Sequence, residues 1–380
     1  YTDGRFATPE GRARFVATPY RPVAEPRDAR YPFALNTGRL RDQWHGMSRT
    51  GTSGRAFAHV AEPSVQMHPQ DMARRQLEAG DLVHLTSRRG SIMVPVQADA
   101  DLAPGQLFLA MHWGSEHLGG SSSIGAPLAG VNALTTPARC PDSKQPELKH
   151  AAVKVLKAEL PWSLLAQAWL PADRALQAQA QLRALMPQFA FAVCVPFSSP
   201  STLGDSANAR DGVLLRCAAA EAPSDDLLAA IEQILGLDAA GVLRYADRRR
   251  GQRRAMVLAE RNTELRLEAF LLAGDTRAQS WIQTVLQDQC DARAFGRQLL
   301  APVARAPAAV AAQGKPVCTC FNVSQERIAA TLADAAGTAA QRLDLLQQRL
   351  QCGTNCGSCV PELRRLAQAA CGPVAAPLPA

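Results

Sequence analysis

Ten cysteines occur in the 380-residue chain, and half of them lie close together near its end. Cys318 and Cys320 form a C-x-C pair, while Cys352, Cys356 and Cys359 form a C-x3-C-x2-C group. Four thiolates from two short segments can therefore converge on one centre, which indicates an iron–sulfur cluster or a zinc site. The remaining cysteines are scattered singly, as is typical of small buried hydrophobic side chains: Cys140, Cys194, Cys217, Cys290 and Cys371.

The segments around the clustered cysteines predict how the thiols are held. Cys318 and Cys320 are two residues apart, so in an extended segment both side chains leave the same face and can hold one iron together. Helices are predicted over residues 324–335, over 341–350 and from Pro361 onwards. The unpaired amides of the third helix, directly after Cys359, would point towards an anionic cluster.

The overall composition is that of ordinary globular protein, with 47% hydrophobic and 20% charged residues. The length favours two or three domains. No apolar run approaches the roughly 18 to 20 residues of a membrane span, and the first thirty residues lack the apolar core of a secretory signal. Because clustered cysteines suit a reducing compartment, we expect a soluble cytoplasmic protein. Since the chain opens at Tyr1 without Met, we also expect a piece of a longer one.

The formal net charge is +7, and one local concentration of arginines is the basic run at residues 244–254. This run, R-Y-A-D-R-R-R-G-Q-R-R, lacks regularly interleaved aromatic residues and matches no nucleic-acid docking motif. We therefore predict a solvated face or the rim of a hairpin, and no nucleic-acid partner. A second interpretation is that the run helps to dock an acidic electron carrier.

Residues 31–156 contain short strands around one short helix, a pattern typical of a β-barrel. Strands are predicted at 31–36, 64–68, 81–87, 91–98, 106–111 and 151–156, with a helix at 69–77. The glycine-bearing loop after the first strand is rich in arginine and hydroxyl side chains that suit a pyrophosphate, although a plain surface loop uses many of the same types. These are Arg39, Arg41, Arg49, Arg55, Ser48, Thr50, Thr52 and Ser53, together with His45.

A series of ordered motifs in this region resembles a known family. The stretches L-N-T-G-R-L-R-D-Q-W-H, H-P-Q-D-M-A, E-A-G-D-L-V, V-N-A-L-T and D-S-K-Q-P-E-L-K resemble the molybdopterin-dinucleotide-binding domain of bacterial molybdenum oxidoreductases, most of all the assimilatory nitrate reductases. The resemblance implies a six-stranded double-psi β-barrel over residues 31–156, after a connecting segment at 1–30, that binds the guanine dinucleotide end of the cofactor. By position it implies the cofactor-binding residues Thr37, Gly38, Arg39, Trp44, His45, Gly46, Trp113, Asn132 and Lys149, with His112 beside Trp113.

Residues 160–300 are predicted to form a middle α+β region. Helical stretches are expected at 162–185, 276–286 and 291–300, and strands at 189–195, 245–259 and 264–275. The part ending in strand, Gly-Asp and helix resembles the small C-terminal α+β domain of flavin-dependent pyridine-nucleotide reductases. No G-x-G-x-x-G occurs near it, so we expect neither FAD nor NAD to bind there and interpret it as a docking module. Residues 301–315, rich in Ala and Pro, are predicted to be a linker.

Residues 316–372 resemble the small all-α [2Fe-2S] domain of bacterioferritin-associated ferredoxin, which also occurs in assimilatory nitrate reductases and NAD(P)H nitrite reductases. This resemblance implies the ligands Cys318, Cys320, Cys356 and Cys359. Cys352 is then a neighbouring thiol, although the spacing alone allows it to replace Cys356. The alternative occupant is a zinc ion held by four thiolates.

Together the two resemblances imply the C-terminal part of a molybdenum-dependent nitrate reductase with molybdopterin guanine dinucleotide and a [2Fe-2S] cluster, and a [4Fe-4S] cluster in a preceding part. Electrons would come from a flavoprotein reductase or a ferredoxin. We find no candidate for a catalytic molybdenum ligand here, so the isolated chain is expected not to reduce nitrate. The alternatives are an electron-transfer or docking module without its own catalysis, and another molybdopterin oxidoreductase such as a formate dehydrogenase.

Overall fold

Short strands with alternating buried side chains form a closed six-stranded barrel in the first part of the molecule, seen here in a computed structural model. The structure describes residues 3–17, 19–121, 126–128, 130–199, 210–261, 263–301, 314, 316–321, 323–333 and 335–370. Cys371 and most of the predicted linker 301–315 therefore lie outside the described residues.

In chain order the first seven strands are β1 (Phe33–Gly38), β2 (Val65–Met67), β3 (Leu82–Thr86), β4 (Ser91–Ala98), β5 (Gln106–Ala110), β6 (Leu118–Gly119) and β7 (His150–Lys157). The barrel order is β1-β5-β2-β4-β3-β7, which leaves β6 outside it. The pairs β1/β5 and β2/β4 are parallel and the others antiparallel. Helix α1 (Pro69–Arg74) follows β2, capped by the ring Nδ1 of His68, which accepts from the Gln70 amide at 3.1 Å. The predicted barrel of six strands is confirmed.

A seven-stranded antiparallel sheet forms the middle of the molecule, in the order β11-β12-β13-β8-β10-β9-β6. Its strands are β6 and, further along the chain, β8 (Trp162–Leu170), β9 (Phe191–Ser198), β10 (Asp211–Ala219), β11 (Leu243–Asp247), β12 (Gln252–Arg261) and β13 (Glu264–Ala273). The predicted helix at 162–185 is wrong in its first half, because β8 occupies those positions. Since both faces of β8 are buried, its apolar run looks the same as that of a buried helix.

Helices cover both faces of this sheet. The helices of this region are α2 (Ala172–Leu185), α3 (Asp225–Ile234) and α4 (Gln279–Gln287). One hydrophobic cluster joins a sheet face to α2 and α3, and another runs without a break from α4 across the opposite face into the barrel. The helix predicted at 291–300 is instead two 3-10 helices, Ala292–Ala294 and Gly296–Leu300, separated at Phe295. The barrel and the sheet thus share one core.

The basic run lies on the hairpin formed by β11 and β12, as predicted. Its ends are neutralised within the chain: Arg244 and Arg253 each lie 2.6 Å from the buried carboxylate of Glu232. Arg254 is 1% exposed and donates to the carbonyl oxygen of Ala301 at 2.7 Å. The arginines at the turn, residues 248–250, are exposed, and the side chain of Arg244 remains 43% exposed despite its ion pair.

The last part of the chain has its own small core. Two short strands, β14 (Pro316–Cys318) and β15 (Val323–Ser324), pair ahead of helices α5 (Gln325–Ala333), α6 (Ala339–Leu350) and α7 (Val360–Ala369). The three predicted helices are confirmed, whereas the all-α character is not, because of this strand pair. None of the described helices is long and apolar enough to cross a membrane.

Candidate functional site

The four thiols predicted as metal ligands lie in two pairs. The Sγ atoms of Cys320 and Cys356 are 3.4 Å apart, and the thiol of Cys359 is hydrogen bonded to Cys318. Cys318 and Cys359 are each 2% exposed, whereas Cys320 is half-buried and Cys356 is exposed. Each pair takes one cysteine from each of the two sequence segments, with one pair inside and the other at the surface.

This pairing differs from the expectation that Cys318 and Cys320 act together on one iron. Strand β14 ends at Cys318, and the following residues 319–321 turn back towards β15. The rule that residues two apart share a face holds for extended backbone and not across a turn. Cys318 and Cys320 therefore point to different partners.

Cys352 lies apart from both pairs. It is completely buried, and its Sγ contacts the carbonyl oxygen of Leu346 in α6 at 3.5 Å. Burial raises the pKa of this thiol to about 11. This geometry supports the interpretation of Cys352 as a neighbouring thiol.

In each pair one thiol has a lowered pKa and the other a raised one. The hydrogen bond from Cys359 is the main cause that lowers the pKa of Cys318 to about 5, and it correspondingly raises the pKa of Cys359. Burial raises the pKa of Cys356, but hydrogen bonds from Ser358 outweigh it, so the pKa is lowered. Ser358 Oγ lies 2.9 Å from Cys356 Sγ, and Asn355 Nδ2 donates to Cys320 Sγ at 3.3 Å. Such donors stabilise thiolates and tune a cluster's reduction potential.

The paired arrangement bears on which metal centre fits. A tetrahedral zinc site needs four ligands around one ion, whereas each iron of a [2Fe-2S] cluster needs two thiolates. The four thiols, arranged in two pairs, supply the number and type of ligands that a [2Fe-2S] cluster requires.

The predicted cofactor residues at the end of β1 lie against the segment before β7. Thr37 is buried, its Oγ1 donates to the carbonyl oxygen of Leu148 at 2.7 Å, and its amide donates to that of Lys149 at 3.2 Å. A Cβ on Gly38 would lie 2.6 Å from the ring of Phe108, so only glycine fits there. Thr37, Gly38 and the exposed Lys149 are thus neighbours.

The loop after β1 carries an exposed cluster of aromatic and cationic side chains. Trp44 is 43% exposed, and the guanidinium groups of Arg39 and Arg49 lie 5.8 and 5.5 Å from its ring centre. Arg39 Nη2 lies 3.0 Å from Nε2 of His45. His45 and Met47 have φ values of 40° and 63°, a costly conformation for non-glycine residues that clusters at functional sites. Gly46 lies between them and has open space around it. Such a surface suits a phosphate joined to a planar ring.

The buried ring of His112 holds this loop in place through hydrogen bonds to its backbone. The ring is fully buried; Nε2 accepts from the Leu40 amide at 2.9 Å, and Nδ1 lies in hydrogen-bond contact with the carbonyl oxygen of His45. The two contacts together assign a neutral ring with its proton on Nδ1. Burial lowers its pKa, as do the nearby charges of Arg39 and His45. His112 is therefore a loop anchor, a role that its position after β5 did not reveal.

Trp113 contacts the turn that carries Asn132 through its backbone carbonyl group. The indole of Trp113 is 1% exposed, lies 6.1 Å from the ring of Phe57, and lines a cleft of about 810 Å³ between barrel and sheet. Its carbonyl oxygen accepts from the Val131 amide at 3.0 Å, which places the exposed Asn132 one residue further on. A Cβ on Gly130 would lie 2.3 Å from the same oxygen. The structure does not bring the Trp113 ring together with the exposed cluster at Trp44.

Family comparisons agree with the two sites. Residues 33–152 match the molydopterin dinucleotide binding domain, and residues 316–369 match the BFD-like [2Fe-2S] binding domain. The chain is 30% identical over 358 residues to a nitrate reductase of Klebsiella oxytoca, an alignment that covers 94% of this chain and 36% of the relative. It is 41% identical over 155 residues to a nitrate reductase of Synechocystis sp., covering 41% of this chain and 21% of that one.

A relative named for another activity is also similar. The F420-dependent formate dehydrogenase subunit alpha of Methanocaldococcus jannaschii is 33% identical over 151 residues, covering 40% of this chain and 20% of the relative. This chain thus spans only about a third or less of the length of each of these proteins. The chain itself contains a molydopterin dinucleotide binding domain at residues 33–152 and a BFD-like [2Fe-2S] binding domain at residues 316–369.

Proposed function

We propose that this chain is the dinucleotide-holding and electron-receiving part of a molybdenum-dependent nitrate reductase. The observation that carries the proposal is the alignment with the Klebsiella oxytoca nitrate reductase over 94% of this chain. In this role the whole enzyme adds two electrons and two protons to nitrate and releases nitrite and water. A cytoplasmic location accords with this role.

The barrel would hold the dinucleotide part of molybdopterin guanine dinucleotide, which supplies the two-electron chemistry at its molybdenum. The cations of Arg39 and Lys149 would bind phosphate oxygens, and the exposed ring of Trp44 offers a stacking surface. Thr37, Gly38, His45, Gly46 and Asn132 complete the proposed set along the loop and the Val131–Leu134 turn. Trp113 takes part through its backbone, because its ring is in the core. The two parallel strand pairs support a barrel of the double-psi type.

The thiol pairs would hold the [2Fe-2S] cluster through Cys318, Cys320, Cys356 and Cys359. The surface pair, Cys320 and Cys356, marks the side where a partner can approach, while the buried pair lies within the small core. A flavoprotein reductase or a ferredoxin is the proposed donor. For the division of the chain we propose a barrel at residues 31–156, an α+β docking region at 160–300 and a cluster domain at 316–372.

A formate dehydrogenase is the second candidate, because the Methanocaldococcus jannaschii relative is 33% identical. That alignment covers 40% of this chain, against 94% for the Klebsiella oxytoca nitrate reductase. A docking module without its own catalysis is the third candidate and would need a separate catalytic subunit. The longer alignment favours the nitrate reductase.

The test is a metal and cofactor analysis of the intact protein, with nitrate and formate reactions assayed side by side. We expect the two irons of a [2Fe-2S] cluster in addition to those of a [4Fe-4S] cluster in a preceding part, visible absorption bands of a [2Fe-2S] cluster, molybdenum with a guanine dinucleotide, and turnover of nitrate. One zinc in place of the two [2Fe-2S] irons would reject the cluster. Turnover of formate without nitrate would select the second candidate.

A further inference from the structure

Arg41 links the barrel to the strand that carries the first thiol. Its Nη1 donates to the carbonyl oxygen of Val317 at 2.9 Å, across 276 positions of sequence. Its Nε and Nη2 face Asp42 Oδ1 and Oδ2 at 3.2 and 3.3 Å. The side chains of Arg41 and Asp42 are 16% and 15% exposed, so this ion pair is held largely away from solvent. Val317 is completely buried and directly precedes Cys318.

The loop that carries Arg41 is itself fixed. His112 binds the backbone of Leu40 and His45 on either side of it. The buried side chain of Gln43 donates to the carbonyl oxygen of Ala56 at 3.0 Å and accepts from Thr50 Oγ1 at 2.6 Å. A side chain projecting from such a loop keeps its position, because the backbone beneath it has little freedom.

One short loop therefore contacts both proposed cofactor sites. Arg39, Trp44 and His45 form its exposed cluster, and Arg41 between them turns towards β14. The charge of Arg41 acts on Cys359, and the charge of Asp42 acts on Cys356. The ion pair thus lies beside the start of the cluster domain, where Arg41 contacts the residue that precedes Cys318.

We propose that Arg41 is a positioning residue that holds strand β14 on the cofactor-binding loop, and that the Arg41 and Asp42 charges set the reduction potential of the cluster beside them. This inference rests on one part of the proposed function, namely that the four thiols hold a [2Fe-2S] cluster. Reduction adds one negative charge to the cluster, so a nearby fixed cation favours the reduced form and a nearby anion disfavours it. Because both side chains are largely buried, salt screens these interactions weakly.

The experiment is a potentiometric titration of the cluster in the intact protein, with dithionite as the source of the single electron and no bond formed or broken. Arg41→Gln removes the charge and Arg41→Lys keeps it. Asp42→Asn removes the opposite charge without touching the contact to Val317. Arg174→Gln is the control, because this arginine is exposed on helix α2 and belongs to neither proposed cofactor site.

For Arg41→Gln we expect the equilibrium constant for reduction to fall about tenfold, which is about 59 mV for one electron, and Arg41→Lys to restore most of it. Asp42→Asn should shift the potential in the opposite direction, and Arg174→Gln should leave it unchanged. An iron-loaded Arg41→Gln protein with the wild-type potential would overturn the inference. If Arg41→Gln does not load iron, Asp42→Asn provides the test instead. An unchanged or lowered reduction potential in that variant would overturn the inference. A wild-type protein without a cluster would refute the proposed function instead.

Discussion

Replacement of the His112 imidazole by a ring that cannot form hydrogen bonds should loosen the cofactor-binding loop. His112→Phe keeps the ring volume but leaves the Leu40 amide and the His45 carbonyl oxygen without their partner. Each lost hydrogen bond to a buried backbone group costs roughly 1–3 kcal/mol. Leu40 is half-buried and His45 is exposed, so water replaces part of the loss. We therefore expect the free energy of unfolding to fall by about 2 kcal/mol.

The same residue should make stability depend on pH. The pKa of His112 in the folded protein lies below its ordinary value of 6.5, chiefly because of burial. The unfolded chain therefore binds a proton more readily, and the contribution of the neutral ring, complete above about pH 6.5, is lost as pH falls towards the folded pKa. His84 and His117 also have pKa values lowered by burial, so the wild-type curve contains their contributions too. The difference between wild type and a His112 variant isolates the single residue.

The assay is denaturant unfolding followed by tryptophan fluorescence between pH 5 and 8. All five tryptophans lie before the cluster domain, in the barrel with its loops or in the sheet with its helices: Trp44, Trp113, Trp162, Trp169 and Trp281. His112→Gln is the matched variant, because its amide can donate to His45 and accept from Leu40 without titrating. It should lose less stability than His112→Phe and should remove part of the decline below pH 6.5. If His112→Phe unfolds with the wild-type free energy at pH 7.5, the loop-anchor interpretation is refuted.

Four further variants test other contacts. Cys356→Ser should abolish or strongly reduce iron binding, whereas Cys352→Ser should retain two irons per chain; equal iron content in both by metal analysis would contradict the pairing. Trp44→Ala should weaken retention of the guanine dinucleotide by roughly 1–3 kcal/mol if the ring stacks on it, measured as dinucleotide left after dialysis; unchanged retention would exclude stacking. Glu62→Gln should destabilise the fold by about 3 kcal/mol, because Arg216, with Nε 2.6 Å from Glu62 Oε1, loses its ionic partner. A wild-type midpoint in denaturant would show that this ion pair contributes nothing.

The sequence patterns located most of the barrel because its strands are short, alternate in polarity and end at turn residues. The strand predicted at 91–98 is found at Ser91–Ala98, and the others shift by a few residues. Strand β8 could not be predicted in this way, because a strand buried on both faces shows no alternation of apolar and polar residues. The strand pair β14/β15 was also missed, because each strand has only two or three residues.

At the candidate sites, residue types were easier to predict than geometry. The spacing of the cysteines indicated a metal centre, but the turn after Cys318 decides which thiols become partners. Asn355 and Ser358 lie within the C-x3-C-x2-C segment, where polar residues next to cysteines could have been considered as donors to sulfur. The contact between Arg41 and Val317 joins positions 276 apart, and no local pattern reports such a pair.

The pairing of strand β6 has a consequence for how the molecule unfolds. This two-residue strand lies between barrel strands β5 and β7 in the chain, yet it pairs with β9 at the edge of the sheet. Next to it, the amide of Cys194 donates to the carbonyl oxygen of His117 at 3.0 Å. Strand β6 and the shared core join the barrel to the sheet. Unfolding of the barrel or of the sheet would expose the buried side chains of the other, so we expect the two to unfold as one cooperative unit. Because the cluster domain has a core of its own, we expect it to unfold and refold locally while that unit stays folded.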